Sequence, residues 1–266
     1  MPSLVLAWCL TVSALPPPNH SAPAKTFPKI EEVTAAAQKL PGYFPLYWDA
    51  HAGKLFLEID KWDVEFLYVN WLTTGVGSND IGLDRGQPGD SRVVEFRRSG
   101  PRVLLVQLNY GYRAQSPNRA EREAAREAFA ESVLWGFSVE AEGNSGRVLV
   151  DATPFFLHDA RDVIGVLKQA HQGIFKLDSG RSALYLAQTK NFPKNTEVEA
   201  TLTFVSESPG PELTKVVPQP KAVSVRQHYS WIQLPDNNYR PRSFDPRCGY
   251  IYLSYFDFAV PLSEPL

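Results

Sequence analysis

Cysteine is nearly absent from this chain. Of its 266 residues only Cys9 and Cys248 are cysteines, and Cys9 lies in an N-terminal apolar run that reads as an export signal. Once that run is removed a single thiol remains, which excludes an intrachain disulfide and a cysteine-built metal site. Charge of one sign is lacking too. Lys and Arg number 27 against 29 Asp and Glu, a net charge of −2, so no global field draws the chain to nucleic acid or an anionic membrane. Long apolar runs are also missing, and no transmembrane span is expected. The run Leu4–Leu15 is too short to cross a bilayer, and no Lys or Arg precedes it. Pro16-Pro17-Pro18 follow, and Ala22-Pro23-Ala24 supplies a small-x-small cleavage site. Residues 1–24 are therefore expected to be a signal peptide, and the mature protein to be soluble and exported, periplasmic or extracellular.

Catalytic signatures are equally scarce. A zincin needs His-Glu-x-x-His, which sets two imidazoles one helical turn apart with a Glu base between them. His20, His51, His158, His171 and His228 are followed by Ser, Ala, Asp, Gln and Tyr, and no two are four residues apart. There is no Gly-x-Ser-x-Gly elbow and no phosphate loop. Gly75-Val76-Gly77-Ser78 fails the dinucleotide pattern because Asp80 stands where a third glycine is needed. Asp80, Asp84 and Asp90 have the wrong spacing for an EF-hand. Within Gly82–Gln87, Asp84 and Arg85 read as a structural turn, Asp84 capping backbone N–H groups and Arg85 pairing with a carboxylate. No catalytic residue, metal ligand or cofactor is assigned. His228 and Ser230 form a possible polar site, since they share the more polar face of a strand with Ser224 and Arg226. A hydrolase reading would need a pocket in which His228 meets a carboxylate or a serine.

What is present is globular: 44% hydrophobic, 12% aromatic and 21% charged residues. Residues 25–40 read as a linker and short helix, with Ile30, Val33, Ala37 and Leu40 at helical spacing and Pro41-Gly42 as the stop. Strands are expected at 55–59, 66–72, 92–96 and 103–110, with a hairpin turn at Ser99-Gly100-Pro101. Further strands are expected at 135–139, 148–150, 198–204, 223–232 and 250–258. Val198, Ala200, Leu202 and Phe204 alternate with Glu197, Glu199, Thr201 and Thr203 as a half-buried antiparallel strand. A helix capped at Ser116-Pro117 carries a small-residue face, Ala120 to Val133, suited to close packing on a sheet. A second helix spans about Asp159 to Ala170 with Asp159 as its cap, and 208–220 is a proline-rich excursion. The fold class is α+β, sheet-dominated, with mostly antiparallel strands in a partly closed barrel or two packed sheets and two or three helices. Two aromatic clusters, Tyr43–Trp48 and Tyr250–Phe258, read first as core, with a peptide or glycan surface as the alternative.

The stretch Leu234–Tyr250 carries three prolines and Arg240, Arg242 and Arg247 among Asp, Asn and Gly residues. It reads as an ordered extended loop. Together with Pro41–Trp48, Gly75–Gln87, Phe129–Val139, Asp178–Ser182, Phe192–Glu199 and His228–Ser230, it resembles the N-terminal region, of unknown function, of secreted bacterial zinc-dependent metallopeptidases of metzincin-like type. The resemblance implies that residues 41–266 are a β-rich N-terminal domain and that zinc belongs only to a downstream catalytic domain absent from this chain. It implies a non-catalytic accessory role, packing on or gating that domain, with Arg240, Arg242, Asp245 and Arg247 at the interface. Pairing of these arginines with Asp236 or Asp245 is the local alternative. A stand-alone peptide- or glycan-binding module is the other reading of the whole.

Overall fold

The computed structural model of the chain describes residues 26–236, 238–240, 242–247, 253–261 and 263. The expected signal peptide, Cys248, Tyr250 and Tyr252 lie outside the described residues. In chain order the elements are α1 (Ile30–Val33), β1 (Gln38–Leu40), β2 (Leu46–Asp49), β3 (Lys54–Ile59), β4 (Phe66–Leu72), β5 (Arg92–Ser99), β6 (Arg102–Gln107) and β7 (Tyr112–Arg113). Then come α2 (Arg119–Ala128), β8 (Ser132–Glu142), β9 (Val148–Asp151), α3 (Thr153–Phe156), α4 (Val163–Gln169), β10 (Lys176–Leu177), β11 (Ala183–Leu184) and β12 (Lys190–Phe192). The last four are β13 (Asn195–Val205), α5 (Pro211–Val216), β14 (Ala222–Gln233) and β15 (Phe256–Asp257).

Thirteen strands form one sheet in the order β1-β2-β3-β9-β8-β6-β5-β4-β14-β13, with β10, β11 and β12 all on the outer edge of β13. Each of its ladders is antiparallel. β15 and β7 make a separate parallel pair. The sheet curls until its ends meet. Tyr43 N–H donates to Phe192 O at 2.7 Å, and the Asn191 side chain donates to the carbonyls of Leu40 and Phe44 at 2.9 and 2.7 Å. The architecture is the sheet-dominated α+β class expected, closed over part of its circumference.

The curl wraps one aromatic core. Phe44, Phe66, Phe96, Phe155, Phe156 and Trp231 are all fully buried, and α3 delivers Phe155 and Phe156 into the concave side as a plug. Trp231 sits at the centre with ring centroids 5.4–5.9 Å from those of the other five. A second cluster, including Leu72, Leu167, Leu202, Phe204 and Val225, seals β13 and β14 against α4 and α5.

Local readings hold in part. The β5–β6 hairpin turns at Gly100, whose φ of 56° suits a residue without Cβ. α4 starts at Val163 and its N-cap is Asp162, not Asp159: Asp162 accepts from Gly165 N at 3.2 Å, while Asp159, three residues upstream, accepts from Val163 N and Ile164 N at 2.8 and 3.0 Å. Residues 30–40 are not one helix: α1 is a single turn whose Ile30 is buried, and 38–40 enter the sheet as β1. α3 and α5 are short helices beyond the two or three expected, and α5 sits inside the proline-rich excursion with Pro211 in its first turn. α2 is capped by Asn118, two residues later than expected, and its small-residue face is not packed on the sheet, since only Ala125 is buried. Alanines bury too little apolar area to dock a helix by themselves. Ion pairs from Arg126 to Glu95 and Glu131 hold its C-terminal end.

The 75–87 turn is made by backbone groups. Val76 N–H donates to Leu83 O, Gly86 N–H to Leu72 O and Gln87 N–H to Asp84 O. The side-chain bonds expected of Asp84 and Arg85 are not among those seen for the described residues. Gly75 is where the two arms touch: a Cβ there would lie 2.6 Å from both Arg85 N and Leu83 O. Gly75→Ala should therefore cost about 1–3 kcal/mol through overpacking, read as a lower urea midpoint, whereas an unchanged midpoint would contradict the tight approach.

Candidate functional site

Alternation along β13 and β14 sorts their side chains onto two faces. Val198, Ala200 and Leu202 go to the core together with Val225, Gln227 and Tyr229. Antiparallel register on the other face sets Glu197 opposite Ser230, Glu199 opposite His228 and Thr201 opposite Arg226. β4 adds Trp71 opposite His228. This polar face was expected to be half-buried, but Glu199 is 2% exposed and Ser230 2%.

His228 is held from three sides. Its Nε2 is 2.7 Å from Glu197 Oε2 and its Nδ1 is 3.1 Å from Glu199 Oε2. The Trp71 ring stacks on it at 4.4 Å and 27°. Asn195 Nδ2 donates to Glu197 Oε1 at 2.6 Å, Thr73 Oγ1 donates to Glu199 Oε1 at 2.9 Å, and Arg226 Nη1 stands 3.4 Å from the same oxygen. The Arg226 guanidinium in turn lies over the Tyr185 ring, 4.5 Å from its centroid.

A neutral imidazole has one N–H, and a carboxylate offers only acceptors. With a carboxylate at each ring nitrogen, the geometry is that of a doubly protonated imidazolium. Burial by itself pulls His228 below its ordinary value of 6.5, but the bonds to Glu197 and Glu199 more than reverse this and leave its pKa raised. Burial pushes Glu197 up, and its bonds to His228, Ser230 and Asn195 outweigh that, so it sits below 4.5. Ser230 Oγ donates to Glu197, not to His228. The requirement that His228 meet a carboxylate is thus fulfilled, but the arrangement has no free lone pair on the ring and no serine aimed at it. It is a cross-strand staple, and His228, Glu197 and Glu199 do not line the 670 Å³ cleft beside α2.

A cleft of about 670 Å³ lies elsewhere, between β5, the segment after β6, and α2. Its charged wall is a four-membered network. Arg97 reaches Glu95 at 2.5 Å and Glu131 at 2.5 and 3.0 Å, while Arg126 reaches Glu131 at 2.8 Å and Glu95 at 3.5 Å. The bond to Arg97 is the chief reason that Glu131 is held down at about 2. Tyr112 and Phe129 also line the cleft, stacked at 4.2 Å and 12°. Phe256 stacks on Tyr112 at 5.2 Å, and Phe258 packs on Phe129 at 5.0 Å.

The two aromatic clusters separate here. Tyr43, Phe44 and Tyr47 are buried, as expected of core residues, whereas Tyr255, Phe256 and Phe258 are 41–45% exposed. The short β7–β15 ladder carries the second group on the surface instead of into the sheet. In the loop after β14, Arg247 pairs with Asp245 at 2.6 Å, while Asp236 accepts from Asn238 N. Arg240 and Arg242 are exposed and make no ion pair with another described residue.

Sequence reasoning reached His228 and Ser230 but not their partners, although the alternating Glu197-x-Glu199 was a visible hint. It missed the cleft entirely, because its lining comes from four separate stretches. No curated protein and no solved structure matches this chain. Residues 86–265 match the family described as a domain of unknown function, DUF5117, and the chain belongs to that family.

Proposed function

We propose that this is the non-catalytic accessory domain of a secreted zinc-dependent metallopeptidase, docking on the protease domain through the loop after β14. The observation that carries the reading is the surface of that loop. Tyr239 is 80% exposed, Phe244 57% and Leu253 98%, interleaved with exposed Arg240 and Arg242. Aromatic side chains and arginines are the residues enriched in interface hot spots. The motif resemblance along 41–250 supplies the protease partner, and the staple on His228 removes the best candidate general base. Zinc belongs in this reading to the partner domain.

The test is to purify the chain, assay peptide hydrolysis with and without a chelator, and titrate it against a metzincin-like zinc metallopeptidase domain. No hydrolysis is expected from the chain alone. Association is expected, weakened about tenfold or more in an Arg240→Ala, Arg242→Ala double variant. Chelator-sensitive hydrolysis that co-purifies with the chain would overturn the proposal. A second reading, a stand-alone peptide- or glycan-binding module, is favoured by the exposed aromatics around the charged cleft.

A further inference from the structure

The charges in the 670 Å³ cleft divide into those that cancel and those that do not. Glu95, Arg97, Arg126 and Glu131 satisfy one another. Four lining residues remain: Asp63 and Glu65 on the chain entering β4, Arg113 on β7, and Arg122 on α2. None of these makes a direct ion pair with another described residue, although Asp257 stands opposite Arg113 in the β7–β15 ladder and Arg113 contributes to holding that carboxyl below its ordinary value. The Glu65 carboxylate lies near the Tyr110 hydroxyl, which is held above its ordinary value by burial first and this carboxylate second. Arg122 donates to Ser116 O at 2.7 Å. Arg113 lies over the Tyr255 ring at 3.3 Å, and its Nε is buried with no hydrogen-bond partner. Opposite charges thus line one cleft without neutralising each other.

Backbone geometry fixes the acidic side. Asp63 has φ of 53°, and its N–H donates to Phe96 O at 3.0 Å, which anchors it beside β5. The basic side is carried on separate elements, β7 and α2. Tyr112 and Phe129 supply apolar surface in the same cleft. The volume is within the range of small-ligand sites. A ligand complementary to all three features carries a cation, an anion and an apolar group.

We infer that this cleft binds a short peptide with free termini, its ammonium toward Asp63 and Glu65, its carboxylate toward Arg113 and Arg122, and an apolar side chain on Tyr112 and Phe129. The inference rests on the module reading and not on docking through the loop after β14. Charge-assisted bonds to a carboxylate are among the stronger polar contacts available to an arginine. A neutral oligosaccharide would meet the exposed parts of the aromatics but bring no counter-charge to these four residues, so the peptide is favoured over the glycan.

The experiment is calorimetric titration of the folded chain with alanyl-phenylalanyl-alanine in free, N-acetylated, C-amidated and doubly blocked forms. The free peptide should bind at least about tenfold tighter than the doubly blocked one, the scale of losing one or two charged hydrogen bonds. Asp63→Asn with Glu65→Gln should abolish the preference for a free amine and leave the preference for a free carboxylate. Arg122→Met should do the reverse, and serves where Arg113→Met disturbs the Tyr255 contact. Equal affinity for free and doubly blocked peptides, saturable binding of a neutral oligosaccharide instead, or no saturable binding at millimolar peptide would each overturn the inference. The Arg240→Ala, Arg242→Ala variant should bind peptide like wild type. Loss of docking and loss of the cleft are therefore read separately.

Discussion

His228→Leu should lower the free energy of unfolding by about 3–5 kcal/mol, the range seen when one partner of a buried ion pair is removed. The substitution fills the same space beside Trp71 but leaves Glu197 and Glu199 facing each other across the missing imidazolium. With side-chain exposures of 14% and 3%, water cannot replace the lost donor. Adding Glu199→Gln to the variant should recover part of the loss, because it removes one of the stranded charges. The pH dependence has two limbs of opposite sign. The folded pKa of His228 stands above 6.5, so its stabilisation is complete below that value and is lost as pH rises through the folded pKa. The folded pKa of Glu197 stands below 4.5, so its contribution is present above that value and is lost as pH falls through the folded pKa. Urea titrations across pH should show the high-pH limb in wild type and not in His228→Leu. A variant as stable as wild type, with the same pH profile, would remove the staple from the account of this fold.

Trp231→Ala should be comparably damaging, about 3–5 kcal/mol, because it opens a cavity where five phenylalanine rings converge. Trp231→Phe should cost far less. The indole Nε1 is buried with no hydrogen-bond partner, so tryptophan carries there an unmet donor whose desolvation is worth about 1–3 kcal/mol. Phenylalanine gives up some packing but removes that penalty. The two substitutions thus separate volume from polarity at one position. Calorimetric melting of both variants reads the difference, and equal losses would show that the indole nitrogen finds a partner in solution.

Much of the sheet was legible because alternation is a local property. The faces of β13 follow from Val198, Ala200, Leu202 and Phe204, and the hairpin at Gly100 follows from its turn residues. What alternation does not encode is register and cover. Glu199, His228 and Trp71 meet only because β14 lies between β13 and β4, and nothing near residue 71 announces a partner near 228. The polar face of β13 read as half-solvated because the pattern identifies which side chains share a face, not what lies above them. α2 failed in the opposite way. Its alanines suggested contact, but small side chains are compatible with both close packing and plain exposure. The cleft was invisible because no single segment holds more than a fraction of its lining, and the exposure of Phe256 and Phe258 depends on a two-residue ladder with β7.

The place of β4 in the sheet also sets an order of events in the making of the protein. One edge of β4 is covered early, by β5, for Phe66, Leu67 and Tyr68. The other is covered only by β14, and Thr74 and Arg226, which bond at that seam, are 152 residues apart. A chain emerging from the ribosome therefore carries the free edge of a strand that includes Leu67, Val69 and Trp71 until nearly the whole domain has been synthesised. Unpaired edges of this kind recruit other strands, and long-range pairings of this kind close slowly. Residues 86–265 by themselves would leave a gap in the sheet at β4. The cooperative unit begins upstream of them, and expression of the shorter piece should give aggregation-prone material whatever its solubility on paper.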